Sequence, residues 1–270
     1  MNRLTATLIT RNEEQNLPRV LTSLDGLADE IVLVDSGSTD RTIELAEQAG
    51  ARVFARAWTG FGDQRNFAAA QASHDWILAL DADEELSPEL RHSLRAWKME
   101  PPAHAAYGFS RKASYLGRWI RHSGWYPDRK IRLYRRDLAR FTGAAHDSLQ
   151  FDGRAGRLAG DLCHHAYRTL AEHAAKVESY STAAAEEMSR RGRRSWLPAM
   201  LLAPPWTLLR KFILQAGFLD GHRGWQIAQL SAKYTFLKYR KLGTLVRADG
   251  PKPAASQPEK QGSAPGEPPA

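Results

Sequence analysis

The chain has 270 residues, a formal net charge of +8 and 43% hydrophobic residues. A mean hydropathy of −0.49 with 25% charged residues excludes a polytopic membrane protein. One cysteine, Cys163, excludes a disulfide scaffold or a metal site built on cysteines and points to a reducing compartment.

Met1-Asn2-Arg3 runs straight into a strand-like segment, so no targeting segment is expected. Leu4 to Thr10 reads as a buried strand, and Glu13 to Leu24 has helical apolar spacing. Glu30 to Asp35 is a short apolar run closed by an acid, the pattern of a central parallel strand. Ser36 to Asp40 is a turn rich in helix-capping residues, followed by a helix from Thr42 to Ala49. Arg52 to Ala55 is a further strand, Phe61 to Ala72 an Ala-rich helix, and Trp76 to Leu80 an apolar strand ending at Asp81. Ser87-Pro88 opens a helix running to about Lys98. Strand–helix alternation predicts a parallel α/β sheet with right-handed crossovers.

Residues 101–168 have strand character at Tyr107–Tyr115, Lys130–Tyr134 and Leu158–His164, an α+β continuation. Thr169 to Arg191 is helical, and Trp196 to Leu219 is apolar with prolines at 198, 204 and 205 that are expected to break it. Trp225 to Leu242 reads as an amphipathic aromatic helix. Residues 248–270 hold six prolines and are expected to be disordered.

The net charge conceals a split. Residues 1–100 hold 10 Lys and Arg against 17 Asp and Glu, whereas residues 101–247 hold 26 against 10. In parallel α/β sheets ligands bind beyond the carboxyl ends of the strands, so the polar residues there carry the chemistry. Asp81-Ala82-Asp83 places two carboxylates on one side of an extended chain, hard oxygen donors suited to Mg²⁺ or Mn²⁺. With 15 Asp in the chain, chance supplies about one Asp-x-Asp pair, so its position after a strand carries the weight. Asp35 closes another strand and can accept a hydrogen bond from a base or ribose. Ser38 to Asp40 are explained in part by helix capping. Thr10-Arg11-Asn12-Glu13-Glu14 adds a polar patch at the same sheet edge, although Glu at a helix start also suits the helix dipole. Gly60-Phe61-Gly62 lacks the third glycine of a dinucleotide fingerprint, since Arg65 stands there.

Four ordered segments, Leu8 to Glu14, Ile31 to Asp40, Gln64-Arg65-Asn66 and Leu80 to Glu84, together resemble the family 2 glycosyltransferases. Gly124 to Asp128, Arg132 to Arg136, Gly143 to Asp147 and Gly217 to Gly221 resemble the lipopolysaccharide-core glucosyltransferase subgroup. Where that subgroup has His-Glu, this chain has His146-Asp147. The resemblance implies a GT-A-type, Rossmann-like mixed α/β sheet flanked by helices, and an inverting transfer from a nucleotide sugar. It implies a catalytic domain over residues 1–168, with 1–100 binding nucleotide and 101–168 the acceptor. A helical, membrane-associating region over 169–247 follows. Carried over by residue, Asp35 contacts uracil and Glu13 lies near base or ribose, within the nucleotide-sugar patch of Thr10 and Asn12. Arg65 contacts the nucleotide. Asp81 meets the ribose or the metal's water shell, and Asp83 binds the divalent cation. Asp147 is the general base, with His146 orienting it or the acceptor. The implied donor is UDP-glucose and the implied acceptor a lipid-linked glycan of the lipopolysaccharide core.

Arg132, Arg135 and Arg136 offer positive charge for the donor phosphates or simply form a basic strand face. His164 and His165 find no ligand partner at a recognisable spacing and read as structural. Trp196 to Leu209 is too short to span a bilayer but is flanked by Arg190, Arg191, Arg193 and Arg194, and by Arg210 and Lys211. That pattern suits an element lying in the interface of an anionic leaflet, and hence a cytoplasmic enzyme peripheral on the inner face of the membrane. The alternatives are a glycosyltransferase acting on another cell-surface polysaccharide or lipid carrier, a non-catalytic basic nucleic-acid-binding protein and a two-carboxylate glycosidase. The basic half has no reader motif, so nucleic acid is not the expected partner. A glycosidase leaves four motifs on a nucleotide-type sheet unexplained.

Overall fold

The computed structural model describes residues 1–142 and 148–248. In chain order the first half contains β1 (Leu4–Thr10), α1 (Leu17–Leu24), β2 (Glu30–Asp35), α2 (Thr42–Gln48), β3 (Arg52–Ala55), α3 (Phe61–Gln71), β4 (Trp76–Asp81), β5 (Glu84–Leu86) and α4 (Pro88–Met99). The second half contains β6 (Ala106–Tyr115), β7 (Arg118–Trp119), β8 (Asp128–Arg135), β9 (Ala139–Thr142), β10 (Ser148–Phe151), β11 (Gly156–Tyr167), α5 (Leu170–Arg190), α6 (Leu197–Leu209) and α7 (His222–Ala248).

Among the described residues, nine strands form one sheet in the order β3-β2-β1-β4-β8-β6-β11-β5, with β7 on β6. The first four are mutually parallel. β8 then runs antiparallel to both β4 and β6, which makes the sheet mixed. Period-two alternation divides the core between its faces. Leu4, Leu8, Leu78 and Leu80 meet α1 and α4 through Leu17, Leu24, Leu90 and Leu94. On the opposite face Ile77 and Ala79 meet the small Ala69 of α3. Each leucine so buried contributes about 1.5–3 kcal/mol.

β5 is three residues long and folds back from β4 to pair antiparallel with β11, joining Glu84 to His164 in register. β11 passes close to the start of α4. A Cβ at Gly160 would stand 2.2 Å from the Leu90 nitrogen, and Gly160 has φ +96°, so only glycine suits this crossing. Ser87 caps α4 through the Leu90 amide, and its Oγ also accepts from the Asp161 amide at 3.0 Å.

The C-terminal helices pack as a group against the sheet's end. Thr169 and Glu172 form a reciprocal capping box at the start of α5. The prolines expected to break Trp196–Leu219 do not: α6 continues through Pro204 and Pro205 into a π-helical turn at Arg210–Leu214. Packing of Ala199, Met200 and Ala203 with Tyr239 and Leu242 holds this path despite the missing donors. The aromatic helix is longer than the sequence predicts, ending at Ala248, and residues 249–270 of the expected tail lie outside the described residues.

His173 ties α5 to the sheet: its Nδ1 lies 3.0 Å from the Tyr115 hydroxyl and its ring stacks on Tyr167 with centroids 4.3 Å apart. Burial, aided by Lys176, pushes its pKa down from 6.5 to about 4. The neutral ring is therefore favoured by folding. Its stabilisation is complete above pH 6.5 and is lost as pH falls through about 4. We expect the wild type to lose about 3 kcal/mol more than His173→Phe across that interval. Urea denaturation at stepped pH measures this, and parallel stability curves would contradict it.

Candidate functional site

The carboxyl ends of β1, β2 and β4 lie side by side, because Thr10 pairs with Asp35 and Ile9 with Asp81. A cavity of about 540 Å³ opens there, lined by Thr10, Glu13, Asp81, Asp83 and His164 among others. Tyr167 of β11 and Tyr180 of α5 close its far side.

Asp81 is the most constrained of these groups. Its Oδ1 accepts from Arg65 Nη2 at 2.5 Å, and its Oδ2 accepts from Arg132 Nη2 at 2.7 Å. Both arginine side chains are only 7% exposed. Burial raises the Asp81 pKa, but Arg132 and Arg65 outweigh it and hold the carboxyl well below the usual carboxylate range. Glu84, fully buried, accepts from Arg111 Nη1 at 3.1 Å and approaches Arg132 at 3.4 Å. Arg111 in turn holds Asp128 at 2.7 Å.

Asp83 differs: its Oδ2 lies 3.2 Å from His164 Nε2 and its backbone carbonyl accepts from the His165 amide. His165 Nε2 sits 3.0 Å from Glu85 Oε1. The sequence offers these histidines no partner, and the structure supplies each with a carboxylate some 80 residues upstream. The signal was the β5–β11 register, which no local pattern reveals. The carboxylate suits Mg²⁺ or Mn²⁺, and the neighbouring imidazole is a donor for a transition metal such as Mn²⁺ rather than for Mg²⁺. No three His, Cys, Asp or Glu side chains converge as a cage among the described residues. A two-donor site fits a cation that also takes substrate phosphates and water. Asp81, with an arginine on each oxygen, is not an open ligand in this arrangement.

Glu13 is half-buried, and its Oε2 accepts from Asn16 at 2.7 Å. Burial raises its pKa, and the nearby Asp83 charge adds to the rise. Asp35 lies beneath the cleft rather than in it. It is 1% exposed, and its oxygens accept from Thr10 Oγ1 and Ser38 Oγ and from the Gly37 and Ser38 amides. Those four bonds use a carboxylate's ordinary acceptor capacity. A contact from Asp35 to a uracil ring requires some of them to be given up. Asn12, with φ +57°, braces the same turn by accepting from the Thr39 amide.

Arg65 opens onto a second cavity of about 510 Å³ with Arg111, Arg129, Lys130 and Arg132. Arg132 is thus at the site, whereas Arg135 pairs with exposed Asp137 and Arg136 reaches the Ala72 carbonyl. His146 and Asp147 lie outside the described residues. The flanking strands β9 and β10 pair Thr142 with Ser148.

Comparison with known proteins decides the family. The description Glycosyl transferase family 2 matches residues 5–154. The chain is a member of this family. It is 30% identical to the lipopolysaccharide core biosynthesis glycosyltransferase LpsC of Rhizobium meliloti, over 88% of this chain and 91% of the relative. It is 28% identical to an uncharacterised glycosyltransferase of Rickettsia typhi, over 91% of this chain and 88% of that one. Among solved structures, glucosyl-3-phosphoglycerate synthase from Mycobacterium tuberculosis, in complex with Mn²⁺, UDP and glucosyl-3-phosphoglycerate, has a TM-score of 0.45. It is 21% identical and covers 72% of this chain and 81% of that chain. The protein is thus a family 2 glycosyltransferase, an enzyme that takes sugar from a nucleotide-sugar donor.

Removing the Asp81 carboxylate takes away a counter-charge shared by two buried guanidinium groups. Asp81→Ala is expected to cost about 3 kcal/mol in chemical denaturation, the scale of breaking a buried ion pair. Asp83→Ala, whose carboxylate meets a histidine rather than two buried arginines, is expected to cost under about 1 kcal/mol. Equal losses in the two variants would contradict the structural role given to Asp81.

Proposed function

We propose that this glycosyltransferase moves a hexose, glucose, from a UDP-sugar to a lipid-linked glycan of the lipopolysaccharide core by one inverting displacement. The observation that carries this is the Asp83–His164 pair beside Glu13 at the carboxyl end of the sheet. LpsC, similar along nearly its whole length, supports the acceptor class.

Thr10, Asn12, Glu13 and Asp35 form the nucleoside side, Asp35 by shaping the turn that carries its neighbours. Arg65 and Arg132 lie toward the diphosphate, held in place by Asp81. Asp83 and His164 would hold a divalent cation, whose chemistry there would be to offset negative charge on the UDP leaving group. Asp147 accepts the proton of the acceptor hydroxyl as its oxygen bonds to C1 and the C1–phosphate oxygen bond breaks. His146 orients that carboxylate or the acceptor. No enzyme nucleophile is required.

We further propose that the enzyme acts from the inner face of the cytoplasmic membrane. Among the described residues no helix is long and apolar enough to cross a membrane. Instead α6 has no buried residue, and Leu201, Leu202 and Trp206 are 60%, 71% and 55% exposed. The apolar stripe continues through Ile213, Leu214, Phe218 and Leu219, more than isolated surface leucines account for. Its breadth favours insertion at a lipid interface over a purely electrostatic contact.

With Mn²⁺ and UDP-glucose, Asp83→Ala and His164→Ala should lower transfer at least ~100-fold and weaken cation-dependent UDP binding. Asp147→Asn should retain UDP binding and lose transfer at least ~100-fold. Wild-type-like turnover in Asp83→Ala, read by UDP release, would refute the metal assignment. Leu201→Ser with Leu202→Ser should weaken binding to anionic vesicles, read by co-sedimentation, by about thirtyfold or more, each buried apolar side chain being worth over about 1 kcal/mol. Undiminished sedimentation would refute the role of α6.

A further inference from the structure

A separate cavity of about 540 Å³ lies between α5, α6 and α7, away from the donor motifs. Its size suits a small ligand or a headgroup. It shares two walls with the donor cavity, Tyr167 and Tyr180, so the two spaces are neighbours across these rings. Its lining also includes Trp206 of α6, which is 55% exposed. The cavity therefore lies between the surface assigned to lipid and the place where sugar is transferred.

Its chemistry is one-sided. Arg210, Lys211 and Lys238 line it, and no Asp or Glu among the described residues does. His173, also on the wall, is held neutral at physiological pH by the depression already described. Lys211 Nζ donates to the Ser123 carbonyl at 2.8 Å, and Lys238 Nζ stands over the rings of Tyr234 and Tyr239 at 5.4 and 5.0 Å. Both lysines are depressed in pKa, first by burial and then by a neighbouring arginine, Arg210 for one and Arg193 for the other. Partly desolvated cations without a facing carboxylate are stabilised by an incoming anion. The aromatic side chains supply flat amphipathic faces for a ring-shaped, partly apolar partner.

We propose that this cavity is the acceptor-headgroup site and that it takes a phosphate-bearing saccharide carried on a lipid. The phosphate lies against Arg210, Lys211 and Lys238, and the saccharide rests on the tyrosine and tryptophan faces. The lipid end leads out past Trp206 onto α6, and the sugar end leads past Tyr167 and Tyr180 toward the donor. A multiply charged oxyanion balances the three cations, which a neutral glycan cannot do. The proposal rests on the glycosyltransferase reading of the donor cavity, because only that reading gives the sugar end a destination.

The test compares the wild type with Arg210→Gln/Lys238→Gln and with Lys233→Gln, an exposed lysine of α7 outside the cavity. Glucose 6-phosphate, glucose and UDP with Mn²⁺ are titrated by calorimetry, after thermal melting confirms that each variant is folded. We expect glucose 6-phosphate to bind the wild type and Lys233→Gln but glucose to bind neither. The double variant should lose roughly tenfold or more in that affinity while its UDP affinity is unchanged. Vesicles carrying phosphatidylinositol 4-phosphate probe the lipid-borne form. Binding to them should fall in the double variant and be competed by glucose 6-phosphate in the wild type. Equal glucose 6-phosphate affinity in the wild type and the double variant would overturn the proposal, as would vesicle binding indifferent to both the substitutions and the competitor. Loss of UDP binding in the wild type would instead refute the donor reading, so the two failures are distinguishable. If the double variant melts early, Arg210→Gln alone, at an exposed helix-end position, carries the same comparison.

Discussion

The site is organised around one half-buried carboxylate and the two buried arginines that meet on it. Asp81 ends β4, Arg65 comes from α3 and Arg132 from β8, so a single charged contact joins the parallel half of the sheet to its antiparallel half. Burying such charges is costly unless each finds a partner in good geometry. Here Glu84, Arg111 and Asp128 extend the pairing, so carboxylates and guanidiniums alternate across the seam. The network fixes where β4 stops and turns. It thereby fixes Asp83, two residues later, in the cavity beside His164.

The same economy divides the Asp-x-Asp segment into two jobs. Asp81 is held by cations that belong to the fold, while Asp83 faces a histidine in the open cavity. Two chemically identical residues thus acquire different capacities from their surroundings alone. Asp35 shows the same separation: its acceptor sites are filled by the turn that it shapes. The nearby Glu13, half-buried and close to Asp83, keeps a shifted pKa and an opening to the cleft.

The C-terminal helices extend this logic to the outer surface. α5 docks through His173 and the tyrosines of β6 and β11, and α7 packs on α5 with Leu242 beside Ala185. α6 adds almost no core of its own and turns its leucines outward. Asp220, just before α7, accepts from the Arg121 and His122 amides, so the helical region is also pinned to the loop that carries Trp125. An exposed apolar element is therefore fixed to the walls of the cavity at the sheet's carboxyl edge. That attachment suits an enzyme whose acceptor arrives on a surface.

Leu4–Thr10 and Glu30–Asp35 were legible because each is a short apolar run closed by a polar or acidic residue, and they and Arg52–Ala55 fall where the sequence places them. The family was legible for the same reason, since its motifs sit at those strand ends in fixed order. The break at Pro204-Pro205 was misread, because local propensity contains no account of the packing of α6 against α7. β5, with three residues, was invisible for want of length. By itself the sequence determined the strand–helix order, the acid-rich sheet edge and the apolar, cation-flanked segment, all of them properties of neighbouring residues. Only the tertiary structure decided which acid is paired with arginines and which is not, that His164 lies beside Asp83, and that Arg210, Lys211 and Lys238 share one cavity. Those depend on pairings between residues far apart in the chain, set by sheet register and helix docking rather than by any local pattern.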